Sequence, residues 1–63
     1  MKTLGMQIKE RRKALKITQK ELADLAGISI NTVVAAERGQ GDPKISTYFA
    51  ICNVLGLKLI VQL

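Results

Sequence analysis

With 63 residues the chain has room for a single small domain, residues 1–63, near the lower size at which a core holds without metal or disulfide. Its one cysteine, Cys52, cannot form an internal bridge, and with no histidine there is little from which to build a zinc site. Ten Lys and Arg against five Asp and Glu leave a formal net charge of +5, which favours a polyanionic partner, nucleic acid first among them.

Packing must therefore supply the stability, and the packing is aliphatic. The chain is 48% hydrophobic but holds one Phe, one Tyr and no Trp, so Ile, Leu, Val and Ala fill the core. No run of about 18 apolar residues is present to span a membrane. The N-terminal MKTLGMQIKERRK lacks the apolar stretch of a secretion signal. The expectation is a cytoplasmic chain with no membrane partner.

Residues from about 3 to 16 read as the first helix. Leu4, Ile8 and Leu15 recur at helical spacing and define its apolar stripe, crowded by Lys9, Arg11, Arg12, Lys13 and Lys16. Ile8, Arg12 and Leu15 stand at i, i+4 and i+7, which puts an arginine beside the stripe. A buried cation needs a partner. Periodicity does not exclude Arg11 from that place, and a solvated basic face is the simpler alternative.

The second helix runs from Thr18 to Ala26. Thr18 with Glu21 three residues on has the spacing of a capping box, and Ile17 and Leu22 can close a hydrophobic staple. Gly27 ends the helix where a positive φ is wanted. Ser29 opens the third helix, which runs to Arg38, with Ile28 and Val33 as a second staple. Two short helices over a Gly-containing turn make a helix-turn-helix arrangement. On the third helix Val33 and Ala36 project inward. Asn31, Val34, Ala35 and Arg38 face the other way, with Ile30 and Thr32 on the flanks.

Residues 39–43 form a loop. Glycine follows the helix as its cap, and Pro43 bars the next helix from starting earlier. The fourth helix spans about Ile45 to Leu55, with Ile45, Tyr48, Ile51, Cys52 and Leu55 on its buried face. Cys52 reads as a small core hydrophobe. Phe49 sits off that stripe and is exposed unless something covers it; on the second helix Leu22, Leu25 and Ala26 follow at helical spacing. In the tail, Leu57, Leu59, Val61 and Leu63 alternate with Lys58, Ile60 and Gln62, which is a strand pattern. No other segment offers a second strand, so this one needs a partner outside the subunit.

T-Q-x-E-L-A, then A-G-I-S-x-x-T-V, then E-R-G resembles the lambda-repressor and Cro-type (XRE-like) DNA-binding domains, with the likeness covering residues from about 8 to 57. It implies a mainly α, four-helix fold and a third helix that enters the major groove N-terminal end first. It also implies that Arg12 pairs inside the domain with Glu37. Under that reading Gln19 reaches a phosphate or lies against the third helix. Ser29 is a further DNA-binding residue, Thr32 can reach a phosphate or a base, and Asn31 suits a bidentate pairing with adenine or bonds locally in the first turn. Ile30, Val34 and Ala35 can read only thymine methyls, a departure from better-known repressors of this type, which carry polar groups at several of these positions. Arg38 and Lys44 flank the loop as phosphate contacts or as solvated charges. The segment ISTYFAICNVLGLKLIVQL is similar to the end of HipB-type antitoxins, whose C-terminal strand pairs across the dimer two-fold. That implies Leu57, Leu59, Ile60, Val61 and Leu63 as dimerisation residues.

The function expected is a homodimeric repressor on a palindromic operator in double-stranded DNA, a HipB-like antitoxin with a cognate toxin as further partner. The alternative is a protein-interaction module on the same fold, supported by the apolar Ile30, Val34 and Ala35 surface with Phe49 and Leu25. No catalytic constellation is visible, and neither an enzyme nor a cofactor is expected.

Overall fold

The structure, a computed structural model, describes residues 3–41 and 43–58. Four helices make up these residues: α1 (Leu4–Ala14), α2 (Gln19–Ala26), α3 (Ile30–Arg38) and α4 (Ile45–Leu55). Three of the four starts are capped by a hydroxyl. Thr3 accepts from the Met6 N–H at 3.2 Å, Thr18 from Glu21 at 3.0 Å and Ser29 from Thr32 at 3.2 Å. At Thr18 the box is complete, because Glu21 Oε1 accepts the Thr18 N–H at 2.9 Å. α4 begins after Pro43 with Lys44 at the cap position and no side-chain cap.

α2 and α3 end on glycines in the left-handed conformation, Gly27 at φ 70 and Gly39 at φ 67. α1 stops differently. Lys16 takes φ 59, its N–H donates to Lys13 O at 3.0 Å, and the Ile17 N–H donates to Arg12 O at 3.3 Å. That closure is the one glycine usually makes, here carried by lysine. It turns Ile17 back onto the core. It also corrects the expected stripe of the first helix. Because the helix ends at Ala14, Leu15 leaves the buried line and is 42% exposed.

Each helix contributes to one core. Ile8 comes from α1, Leu22 and Ala23 from α2, Val33 and Ala36 from α3, Ile51 and Leu55 from α4. Leu4, Ile17, Ile28, Tyr48, Val54 and Leu57 pack around them. Cys52 is buried, and burial pushes its thiol pKa up, which leaves it unreactive. Ile45, expected on the buried face of the fourth helix, is 54% exposed. It occupies the first turn, ahead of the stretch where Ile51, Cys52 and Leu55 meet the other helices. Phe49 and Leu25 are exposed.

Two contacts fix how α1 lies. Arg11 Nε donates to Leu55 O at 3.0 Å, so a cation closes the C-terminal end of α4. Gly5 lies against the end of α3, where a Cβ would come 2.5 Å from Ala36 O and 2.6 Å from Glu37 O. No strand is present among the described residues. Of the expected C-terminal strand over residues 57–63, Leu57 and Lys58 are not in a strand, and residues 59–63 lie outside the described ones. Leu57 is described, and its N–H donates to Cys52 O at 2.9 Å, closing α4. No helix among the described residues is long and apolar enough to cross a membrane.

Gly5→Ala separates local propensity from packing. In an open helix interior the change stabilises by about 1 kcal/mol. Against two fixed carbonyl oxygens it should instead cost about 1–3 kcal/mol by overpacking. Chemical denaturation reads the sign, and an unchanged or raised midpoint would contradict the close approach.

Candidate nucleic-acid interface

The geometry of α2 and α3 is set from beneath by one ionic cluster. Arg12 Nε donates to Glu37 Oε2 at 2.7 Å, and Arg12 Nη2 to Glu37 Oε1 at 3.1 Å. The remaining guanidinium nitrogen, Nη1, donates to Ile17 O at 2.9 Å, and Gln19 Nε2 donates to Glu37 Oε1 at 3.2 Å. Arg12 is 8% exposed and Glu37 6%, so both charges are taken out of water. Two parallel bonds match the planar guanidinium to the carboxylate, and the extra partners absorb what the pair leaves over. Among the described residues no buried side-chain nitrogen or oxygen is without a partner. The cluster joins three places: the last turn of α1, the entry to α2 and the end of α3.

The choice between Arg11 and Arg12, open in the sequence, is made by tertiary contact. Arg12 turns inward to Glu37, and Arg11 turns to the end of α4. Gln19 is half-buried, and its amide nitrogen faces the carboxylate. That bond places it against α3.

α3 is divided along its length. Val33 and Ala36 are fully buried. Asn31 and Arg38 are exposed, Ile30 is 44% exposed, and Thr32, Val34 and Ala35 are half-buried. At its start, Ser29 Oγ and Thr32 Oγ1 lie 2.8 Å apart in a shared hydrogen bond. Lys44 is exposed after the loop. Asn31, Arg38, Ile30, Val34 and Ala35 thus share the outward side of one short helix, while Gln19 is drawn toward its base. Of the dimerisation residues, Leu57 is half-buried on its own core, and Leu59, Ile60, Val61 and Leu63 lie outside the described residues. Three structural contributors have no signature in the sequence: the Arg11 bond, the Gly5 contact and the left-handed Lys16. Each depends on a partner or a turn that local patterning does not mark.

A family model described as helix-turn-helix matches residues 8–61. The chain is 37% identical over 57 residues to the immunity repressor protein of Bacillus phage phi105, a match covering 90% of this chain and 40% of the repressor. It is 39% identical over 56 residues to an uncharacterized HTH-type transcriptional regulator of Methanothermobacter thermautotrophicus, covering 89% of this chain and 77% of that protein. Against the HTH-type transcriptional regulator DicA of Escherichia coli it is 43% identical over 53 residues, 84% of this chain and 39% of DicA. The chain thus spans about two fifths of the length of the phage repressor and of DicA.

Breaking the cluster from either side leaves a buried charge unpaired. Arg12→Ala and Glu37→Ala should each cost about 3–5 kcal/mol. The double variant should lose much less than the sum of the two. Denaturation of all three variants measures this, and single effects that are near zero and additive would contradict it.

Proposed function

The chain belongs to the helix-turn-helix family, and from that premise we propose that it is a DNA-binding transcriptional repressor acting as a homodimer on a pseudo-palindromic operator. The observation that carries the reading is the state of α3. Its inner side and terminal carboxylate are locked into the domain, while Asn31, Ile30 and Arg38 are presented outward. A helix so held can enter a major groove as a rigid element. The net charge of +5 supports phosphate contacts as the main source of affinity, with Arg38 and Lys44 among them. Asn31 supplies the bidentate readout, Ser29 and Thr32 stand at the same end of α3, and Gln19 lies against its other end. Half-sites one helical turn apart, about 34 Å or a multiple, place both copies on one face of the duplex.

Dimerisation rests on two features. The alternating residues from Leu57 to Leu63 have no partner strand within the chain's own sequence pattern. Ile45 and Phe49, four residues apart on α4, are large apolar side chains left exposed. A second copy covering both would bury area that a 63-residue chain can ill spare. A cognate toxin, as for HipB-type antitoxins, is supported by the resemblance of residues 45–63 alone. The phage protein and DicA are named as a repressor and a regulator. The second reading, a protein-interaction module, draws on Leu25 at 65% exposure together with Phe49. Salt separates the two. Duplex binding that weakens steeply with ionic strength supports the repressor, and salt-insensitive binding to a protein supports the module.

Asn31→Ala should lose about 1–3 kcal/mol at one base position and little elsewhere. Lys44→Ala should weaken all duplexes alike and flatten the salt slope by about one unit. Unchanged ratios between cognate and mismatched duplexes for Asn31→Ala would remove that residue from base readout.

Deleting residues 58–63 should give monomers at micromolar concentration and abolish tight operator binding, because each half-site would then bind alone. Sedimentation decides it: a stable dimer without the tail would mean the interface lies elsewhere.

A further inference from the structure

The hydroxyls at the start of α3 bond each other, and the Gln19 amide is held at its other end. Ser29 Oγ accepts the Thr32 N–H at 3.2 Å and shares a 2.8 Å hydrogen bond with Thr32 Oγ1. The Gln19 amide is bonded to Glu37, and Glu37 to Arg12. Of the polar side chains on α3, Asn31 and Arg38 are the exposed ones, near opposite ends of the helix. The rest of the outward side is apolar: Ile30, 44% exposed, with Val34 and Ala35 half-buried.

In the major groove the base pairs offer hydrogen-bonding atoms almost everywhere, and one apolar group, the C5-methyl of thymine. An isoleucine set against guanine O6 and N7 or cytosine N4 would strip them of water and return no hydrogen bond. Against a methyl group it buries apolar surface on both sides. Charge complementarity brings the face to DNA, since the chain carries +5 and Arg38 is exposed on the same helix.

We propose that Ile30 is a specificity-determining residue that selects thymine by its C5-methyl group, so that the half-site is read chiefly as a pattern of methyls with one hydrogen-bonded base at Asn31. The proposal rests on the DNA-binding reading above and names the chemistry by which it discriminates.

The test uses the full chain and the duplex it recovers from a randomised pool. Each thymine is replaced in turn by uracil, which removes one methyl and keeps every hydrogen-bonding group. At the thymine that Ile30 meets, affinity should fall roughly fourfold, the worth of one buried methyl. Ile30→Ala, a change at an exposed position, should bind the thymine and uracil duplexes equally well. A uracil series indistinguishable from thymine overturns the proposal without altering the protein at all. A uracil penalty that persists undiminished in Ile30→Ala overturns the assignment to Ile30. If the pool yields salt-sensitive binding but no preferred sequence, methyl selection fails while the DNA-binding reading stands. If no duplex binds, that reading fails and this one with it.

Discussion

The bidentate bond between Arg12 and Glu37 is the constraint on which the rest of the molecule depends. There α1, the entry to α2 and the end of α3 meet through groups that tolerate no slack. Apolar contacts are forgiving of small shifts, because a leucine that slides still touches carbon. A guanidinium with two carboxylate oxygens and a backbone carbonyl around it is not forgiving, and leaving any of them unmatched in the interior costs several kcal/mol. The pair therefore contributes definition more than net stability. An aliphatic replacement of the same shape could hold the chain together and still leave α3 free to choose its angle.

That definition matters because the apolar core is small. A chain of 63 residues buries a modest share of its surface, and here the work falls on seven core side chains with no aromatic among them. Backbone-level fitting adds to it. Gly5 lets α1 approach the carbonyls of residues 36 and 37 directly beside the ionic cluster, and Arg11 ties the same helix to the end of α4. The result is an α3 whose inner residues are fixed and whose outer side leaves Ile30, Asn31 and Arg38 exposed. The helix-turn-helix family uses that division for DNA, and the apolar character of this outer side is the feature by which the chain differs from what its polar entry residues alone suggest.

Much of this was legible from the sequence wherever the cause is local. Thr18 with Glu21, Ser29, and the glycines at 27 and 39 marked helix ends within a few residues, because caps and left-handed turns are set by the residue itself. The inward and outward sides of α3 followed from its spacing. Where the cause is tertiary, pattern failed or stayed open. Leu15 continued the stripe of the first helix by count, but a lysine in a glycine-like conformation ended that helix first. Ile45 had the right spacing and the wrong depth. Arg11 and Arg12 were interchangeable by periodicity, and only the carboxylate 25 positions later tells them apart. The direction of the Gln19 amide has the same origin, since it follows a charge that its own neighbourhood does not contain.

The ionic cluster holds α3 in the position from which we propose that it, and no other surface, meets DNA. Amide resonances of the full chain, followed while an operator duplex is added, test it most directly. Shifts should centre on Ile30, Asn31, Val34, Ala35 and Arg38 and extend to Gln19 and Lys44, with Leu25 unmoved. Shifts centred on Leu25 with α3 unchanged would contradict it.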